Sequence, residues 1–279
     1  MKIKSLIMLG ALSLLFSCQN EEPIADQKET LEQELEITPK ILSQIEALSL
    51  NPEDVETITT TFPDGSTRTS LLIEGDIAIS AAELESMHPV DISNKQYRTY
   101  NLVTSPRVIE VIGYTGLGFN QNLTALQQDA LTEAVANYND LNLGLSFNLT
   151  FTNDLTNADI IVFQNPNGAA GGVAGFPSAG NPYLYVQIYS GMENYSLEVN
   201  THVMTHEIGH TLGLRHTDWF TRQSCGRPSF GELANPSGAV HIPGTPYRLD
   251  PNSVMLSCFG LDETGEFGRY DIVALEYLY

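Results

Sequence analysis

The residues with the clearest chemistry lie between His206 and His216, in the string HEIGHTLGLRH. His206 and His210 are four residues apart, so on a helix they lie on one face and can bind the same ion. Gly213 can end that helix in the left-handed conformation, and the reversed chain then brings His216 to the same ion. Three neutral imidazoles leave one tetrahedral position of Zn²⁺ for a water, whose pKa the metal lowers to about 7. The spacing therefore predicts one catalytic zinc ion.

Glu207 follows the first histidine and is the natural general base for such a water. The short HExxH string alone also occurs in helices by chance, and the alternative interpretation is a solvated helix end that carries several histidines. That alternative does not explain why Gly213 and His216 stand at the spacing that a third ligand requires. The longer pattern favours a zinc site with Glu207 beside it.

A second motif, Asn252-Ser253-Val254-Met255, follows the third histidine. An HExxHxxGxxH string followed by a methionine-containing turn resembles the metzincin clan of zinc metalloproteases. The HEIGH variant is similar to the HEIGH metallopeptidase family, and the chain has astacin-like features. The resemblance covers roughly residues 97 to 279. It implies an α+β, two-lobed catalytic domain: a twisted mixed sheet with the active-site helix, and a small C-terminal lobe with the Met-turn and a final helix.

The resemblance also implies an activity, a zinc endopeptidase that hydrolyses peptide bonds of a protein or peptide substrate by a zinc-bound water. Glu207 would be the general base and acid of this reaction. Met255 would form the apolar floor under the metal, a role that differs little from that of an ordinary core methionine. The implied metal ligands are His206, His210 and His216.

One position departs from the family pattern. Astacin-like members have a tyrosine two residues after the Met-turn methionine, whereas this chain has Ser257. Tyr247 and Tyr270 are candidates for the missing oxyanion partner by their place in the sequence, and a core or cleft-wall role is the alternative for both. The serine leaves a second function class open, a catalytically weak or inactive surface lipoprotein that acts as a binding module. The presence of Glu207 argues against that class.

Other polar residues near the motif have weaker assignments. Arg215 and Asp218 flank the third histidine and could orient it, although solvated surface charge is the expected fate of Arg215. His202 precedes the first ligand by one helical turn, and we expect it on the helix surface or behind a ligand. His88 and His241 have no ligand spacing around them, so loop positions are expected.

The segment Ile73-Glu74-Gly75-Asp76-Ile77 resembles the Gly-Asp motif of astacin propeptides, in which the aspartate takes the position of the water on zinc. A carboxylate is a competent fourth ligand, so Asp76 is a candidate latency ligand. The alternative is a simple Gly-Asp turn at the end of a strand. If Asp76 blocks the water, a cut between about residues 80 and 100 would activate the enzyme and release the catalytic domain. Otherwise residues 19 to 96 are a spacer.

The amino terminus predicts export. Lys2 and Lys4 precede a short apolar run that ends at Ser17 and Cys18. The run is too short for a transmembrane helix, which needs about 20 apolar residues. A cysteine after a small residue resembles a bacterial lipobox, in which Cys18 is lipidated; an ordinary secretory signal is the alternative. The acidic residues that follow resemble export tags of surface lipoproteins, which predicts an outer-membrane lipoprotein, exposed on the bacterial surface.

The cysteine count agrees with an oxidising compartment. With Cys18 carrying the lipid, Cys225 and Cys258 remain as a predicted disulfide. Two free buried thiols are the alternative. The bridge would close the loop between the third histidine and the Met-turn.

The charge balance is strongly acidic, with 13 Lys and Arg against 34 Asp and Glu and a formal net charge of -21. This excludes nucleic acid and electrostatic binding to anionic lipid as partners. Because solubility alone accounts for a negative surface, no substrate preference follows. We expect a monomer.

Composition and periodicity predict four regions: a lipoprotein signal peptide (1–17), a flexible acidic tether (18–38), a propeptide-like segment (39–96) and the catalytic domain (97–279). Apolar spacing predicts a helix over 40–50 and strands over 55–62 and 67–73. In the catalytic part we predict helices after the capping box at Thr124 and over 271–279. We predict strands at 108–114, 145–151, 160–163 and 183–189, the last an edge strand that pairs with substrate. Gly168 to Gly175 reads as a mobile surface loop.

Overall fold

A computed structural model of the chain describes residues 35–48, 50–87, 98–116, 120–218, 221–226, 242–246 and 249–279. Within these ranges the protein combines α-helices with two β-sheets, so the predicted mixed α+β class is confirmed. Cys18, His88, His241 and Tyr247 lie outside the described residues. Among the residues that are described, no helix has the length and apolar character that a membrane crossing needs.

Residues 35 to 87 form a small sheet flanked by two helices. Its elements are α1 (Pro39–Ala47), β1 (Glu56–Thr61), β2 (Thr67–Ile73), β3 (Ile77–Ile79) and α2 (Ala81–Ser86). Thr38 caps α1, since its side chain accepts a hydrogen bond from Ile41 N. The strands are antiparallel in the order β1-β2-β3, and their apolar faces bury a separate core that includes Ile45, Leu71 and Ile77.

The larger part carries a five-stranded sheet. Its elements are β4 (Arg107–Tyr114), α3 (Ala125–Asn139), β5 (Leu145–Thr152), β6 (Ile160–Asn165), β7 (Gly172–Val173), β8 (Tyr185–Tyr189), α4 (Leu197–Leu212) and α5 (Arg269–Leu278). The strand order is β5-β4-β6-β8-β7, and only β7 runs antiparallel to its neighbour. β6 is buried along Ile160 to Phe163, as a central strand between two layers must be.

Helix α3 supports helix α4 from behind. The predicted capping box starts α3, because Thr124 accepts from Gln127 N and the Gln127 side chain accepts from Thr124 N. On its buried face Tyr138 donates a hydrogen bond of 2.9 Å to the carbonyl oxygen of Thr205. A satisfied buried hydroxyl at this position fixes α4 against the core.

The predicted edge position of residues 183–189 is wrong. β8 lies between β6 and β7, and the edge is the two-residue strand β7 inside the glycine-rich stretch that was expected to be a mobile surface loop. Ile77 forms a parallel bridge with Ala174, next to β7, with Ala78 N donating to Ala174 O at 2.8 Å and Ala174 N donating to Asp76 O at 3.0 Å. A strand of two residues has no periodicity in the sequence, so it can be recognised only from the strands that pair with it in space.

Asp271 joins the last helix to the turn that carries Met255. Its Oδ2 accepts from Gly268 N at 2.9 Å and from Val254 N at 2.8 Å, and its Oδ1 accepts from Ser253 Oγ at 2.6 Å. The side chain is buried, which raises the pKa of Asp271 to about 6 in spite of these hydrogen bonds. One carboxylate therefore both caps α5 and fixes the turn.

We expect Asp271→Ala to lower the free energy of unfolding by about 2 kcal/mol, because a helix cap is lost and buried N–H groups lose their acceptor. Urea denaturation followed by circular dichroism measures this change. The exposed Asp262→Ala is the matched control and should leave the unfolding midpoint unchanged. Equal midpoints for the two variants would contradict the assigned role of Asp271.

Candidate metal centre

Helix α4 presents His206 and His210 from the same face, one turn apart. Ser196 caps its start by accepting from Val199 N at 3.3 Å, and Gly213 ends it with a φ of 105°. A Cβ at Gly213 would also lie 2.9 Å from Thr99 Oγ1 and 3.0 Å from Asn101 O. Glycine is therefore required twice at this position, once for the backbone angle and once for space.

The three histidines of the motif meet at their Nε2 atoms. His216 Nε2 lies 3.2 Å from His210 Nε2 and 3.3 Å from His206 Nε2. A tetrahedral zinc ion with Zn–N bonds of about 2.0–2.1 Å would have its nitrogen ligands about 3.3 Å apart. His206 is 6% exposed and the other two rings are fully buried. The site thus has the size and enclosure that a small tetrahedral cation requires.

The protonation of the rings follows from their other nitrogens. His206 Nδ1 lies 2.8 Å from Val254 O, and His210 Nδ1 lies 2.8 Å from Leu214 O. Since a carbonyl oxygen only accepts, these Nδ1 atoms carry the protons and the Nε2 atoms carry lone pairs. Burial, and then the neighbouring imidazoles, hold the pKa of His210 well below its ordinary value, which keeps that ring neutral. Although burial opposes it, Asp76 and then Glu74 raise the pKa of His216 to about 10, so a cation would bind this ring in exchange for its Nε2 proton. With that proton lost, the three Nε2 lone pairs would converge on one point, which fits a cation.

Asp76 completes the group from the small sheet. Its Oδ2 lies 2.9 Å from His216 Nε2 and 3.6 Å from His206 Nε2, and one atom from each of the four side chains lies within 4.8 Å of the others. Although burial opposes it, the imidazole of His216 lowers the pKa of Asp76. The structure brings the candidate latency ligand and the three predicted ligands together, with Asp76 where a fourth ligand would stand.

Glu207 lies beside this group and is 2% exposed. Burial, and then the charge on Asp76, raise the pKa of Glu207 well above its ordinary value. Its Oε2 has no hydrogen-bond partner among the described residues. A Cβ at Gly172 would lie 2.8 Å from Glu207 Oε1, so the edge strand approaches the carboxylate as only glycine allows. Sequence reasoning missed Gly172, and the run of glycines was its one signal.

Met255 packs under the motif helix. The side chain is 2% exposed, and a Cβ at Gly209 would lie 2.7 Å from its Sδ. The glycine of the HEIGH string therefore makes room for the methionine. The carbonyl oxygen of Met255 accepts from Thr217 N at 2.8 Å, which connects the turn to the residue after the third histidine.

Arg215 is not on the surface, contrary to expectation. It is 2% exposed, its Nη1 donates to Leu48 O at 3.1 Å, and its Nη2 lies 3.6 Å from Glu74 Oε1. A buried guanidinium requires a carboxylate nearby, and the partner comes from a segment more than a hundred residues away in sequence.

His202 is also buried, at 3% exposed, so the surface alternative for it is wrong. Its Nδ1 lies 3.4 Å from Glu263 Oε2, but burial dominates and lowers the pKa of His202 to about 3. The ring is therefore neutral. Its centroid lies 6.5 Å from that of His206, and His202 lines the cavity of about 300 Å³ beside the group.

Asp218 does not act on the third histidine through a direct hydrogen bond; it organises the loops around the cleft. Its Oδ2 accepts from Ser224 Oγ at 2.6 Å, and its Oδ1 accepts from Ser257 Oγ at 2.8 Å. These contacts flank the predicted Cys225–Cys258 disulfide, which is formed in the structure. Ser257, where the family resemblance would have a tyrosine, thus has a structural role.

A cavity of about 300 Å³ opens beside the group. Its walls include Asp76, Gly172, Glu207, Arg222 and Phe259. Tyr270 does not line it and faces a separate small cavity with Met255, so the structure does not bring this candidate oxyanion partner to the site. The larger cavity therefore lies against both Asp76 and Glu207.

Comparison with known proteins gives one family. The model described as the dual-action HEIGH metallopeptidase matches residues 71–279. Two solved structures of myroilysin are similar to this chain. The first is 15% identical to this chain, with a TM-score of 0.37, and the match covers 64% of this chain and 96% of the myroilysin chain. The second is 13% identical, with a TM-score of 0.36, and the match covers 66% of this chain and 86% of the myroilysin chain. A search of curated proteins finds no match.

We expect the purified protein to bind one equivalent of zinc, and His206→Ala or His210→Ala to weaken binding by more than about 100-fold, since changes behind a ligand already cost about 10–100-fold. Competition with a chromophoric chelator measures the affinity. His202→Asn, which changes a buried histidine outside the ligand set, should lower zinc affinity far less than either ligand variant. Stoichiometric zinc in His210→Ala with unchanged affinity would exclude the assigned ligand set.

Proposed function

Because the chain belongs to the dual-action HEIGH metallopeptidase family, we propose that it is a zinc endopeptidase that hydrolyses peptide bonds within protein or peptide substrates. The observation that carries the proposal is the convergence of three imidazole Nε2 atoms next to Glu207, in a site whose other donor is a carboxylate. Nitrogen-rich tetrahedral sites of this kind favour zinc. The family supports peptide-bond hydrolysis, and the enclosed geometry supports a catalytic ion.

Zinc, when bound by His206, His210 and His216, would supply a Lewis acid that polarises the scissile carbonyl and acidifies a water. Glu207 would take the proton of the attacking water and pass it to the leaving amine. A carboxylate beside the ligands is a type of group that can both accept and release a proton. The tightly packed walls of Gly172 and Met255 would hold the carboxylate and the ligands in place.

Substrate would bind in extended form along the edge strand β7. Residues 76 to 78 lie along the end of this edge, where Ala78 N donates to Ala174 O and Ala174 N donates to Asp76 O. An extended peptide could make equivalent bonds once that segment has moved, and such bonds do not depend on side-chain identity. The cavity between Gly172 and Phe259 would take one substrate side chain. The two lobes of the proposed metzincin-like domain would form the walls of the cleft, with the Met-turn as its floor.

We propose that Asp76 keeps the enzyme latent. Its carboxylate stands within 2.9 Å of His216 Nε2, the region that the attacking water needs, and a carboxylate competes well for zinc. Its charge also raises the pKa of Glu207, so the base would be held protonated in the latent state. Movement of Asp76 would admit the water and lower the pKa of the base together.

The inactive binding module has less support. The one feature that favoured it was Ser257 in place of a tyrosine. Ser257 donates hydrogen bonds from its N and Oγ to Asp218, so the serine has a structural role that does not require loss of activity. Glu207 is retained and held beside the ligands. Hydrolysis of a quenched peptide library separates the two hypotheses, whereas zinc content does not.

The remaining proposals concern location and processing. We propose that Cys18 is lipidated and anchors the chain to the outer membrane, with residues 18–38 as a tether, 39–96 as the inhibitory segment and 97–279 as the catalytic domain. The lipid lies on the inhibitory side of any cut between residues 80 and 100. Such a cut would therefore separate the anchor from the catalytic domain unless the two parts stay associated.

We expect Glu207→Gln to retain stoichiometric zinc while peptide hydrolysis falls by about 10²–10⁴-fold, because a general base contributes that much. The assay is cleavage of a quenched peptide by activated enzyme, with zinc measured on the same sample. Glu266→Ala, a change of an exposed glutamate in the catalytic part, is the control. Full activity of Glu207→Gln would eliminate the proposed mechanism.

For latency, we expect Asp76→Ala in the uncleaved chain to raise peptide hydrolysis by about 10- to 1,000-fold, since the open minor state of a closed protein is typically about 0.1–10% populated. The comparison is between uncleaved wild type, Asp76→Ala and Glu85→Ala, with intact mass confirming that no chain was cut. If wild type and Asp76→Ala hydrolyse peptides at the same rate, Asp76 is not a switch.

A further inference from the structure

Glu74 stands two residues before Asp76 and makes a different set of contacts. Its side chain is fully buried. Its Oε2 lies 2.6 Å from His216 Nδ1, and its Oε1 accepts from Asn51 N at 2.9 Å and lies 3.6 Å from Arg215 Nη2. Asp76 thus faces the Nε2 side of the His216 ring while Glu74 holds the opposite, Nδ1 side.

From this geometry we infer that Glu74 is the residue that positions His216 as a metal ligand, and that it remains in place when Asp76 moves. The inference rests on the proposed zinc site. Metal-binding histidines donate their second N–H to an acceptor that fixes the tautomer and the ring orientation. His206 and His210 have backbone carbonyls for this purpose. Glu74 gives His216 a carboxylate, although it lies 142 residues away in sequence.

The two carboxylates differ in how easily they can leave. The Asp76 side chain is 14% exposed and lines the cavity of about 300 Å³. Gly75, between the two acids, has a φ of 93°, and a Cβ on it would meet no atom closer than 3.9 Å. The chain therefore has the backbone freedom and the space to turn Asp76 away from the ligands without moving Glu74, once the hydrogen bond from Ala174 N to Asp76 O is broken.

The contacts of Glu74 oppose its departure. Arg215 is buried, with one guanidinium nitrogen on Leu48 O and another near Glu74. Removing a carboxylate from beside a buried guanidinium is strongly destabilising, because the charge has already lost its water. The segment around Glu74 would therefore stay associated with residues 97–279 after a cut between residues 80 and 100, while Asp76 and its neighbours on the edge of β7 move.

The experiment measures zinc affinity in an Asp76→Ala background, so that the blocking carboxylate does not contribute. We expect Glu74→Ala in this background to weaken zinc binding by about 10–100-fold relative to Asp76→Ala alone. Glu74→Gln keeps one oxygen that can accept the Nδ1–H and should lose less. Glu85→Ala is the exposed control from the same segment. Chelator competition gives the affinity, and circular dichroism gives the folded fraction to which it is normalised.

A second pair of variants separates positioning from general stability. Glu74→Leu combined with Arg215→Met replaces the buried ion pair by apolar side chains, which often preserves stability. We expect this double variant to fold while zinc affinity stays as low as in Glu74→Ala, because His216 still lacks its acceptor. It also serves as the test if Glu74→Ala does not fold.

Zinc affinity equal to that of Asp76→Ala, in either Glu74→Ala or the folded double variant, would overturn the inference. The readout does not depend on peptide hydrolysis. Loss of zinc affinity without any peptidase activity in Asp76→Ala would uphold the role of Glu74 and reject the proposed enzyme function. If Asp76→Ala hydrolyses peptides and the Glu74 variants do not change zinc affinity, the proposed enzyme function is upheld and the role of Glu74 is rejected.

Discussion

Three imidazole Nε2 atoms are held close together, with that of His216 at 3.2 Å and 3.3 Å from those of His210 and His206, and the rest of the centre is arranged around this close approach. To offer its Nε2 to a cation, each ring must keep a proton on Nδ1, and each finds an acceptor there in a different part of the chain: Val254 O, Leu214 O and Glu74 Oε2. Two of these acceptors are backbone carbonyls, so the course of the main chain sets the tautomer. The turn at Val254 is in turn fixed by Asp271. Metal-binding capacity thus depends on elements that never touch the ion.

Glycine makes this arrangement compact. Gly209 admits the Met255 sulfur against the helix, Gly213 ends the helix and passes close to Asn101 O, and Gly172 lets the edge strand reach Glu207. At each of these positions a Cβ would meet a neighbour at 3.0 Å or less. Backbones in such close contact leave little room for the ligands or the base to shift, which is the preorganisation that a catalytic site requires.

Most helices and strands could be predicted from local sequence patterns, because periodicity and capping depend on residues that are neighbours in the chain. The strands near 108–114 and 145–151, the capping box at Thr124 and the zinc-motif helix were predictable for this reason. The edge strand β7 was not, since two residues have no period and β7 is defined only by its pairing with β8 and the adjacent bridge to Ile77. The burial of Arg215 and the role of Glu74 could not be predicted from local patterns either. Both depend on contacts between residues far apart in sequence, Arg215 with Glu74 and His216 with Glu74.

The two acids on either side of Gly75 would couple metal binding to the position of Asp76. Asp76 would add a ligand to the ion in the closed state, while Glu74 orients a ligand in both the closed and the open state. A bound ion would then favour the closed state over the open state, and by linkage it would stabilise the docked position of Asp76 by the same factor. Metal loading and latency would therefore reinforce each other. Opening would remove one carboxylate from the ion but would leave the three imidazoles correctly oriented, since the residue that orients His216 belongs to the buried part of the segment, whereas Asp76 and its neighbours on the edge of β7 would move.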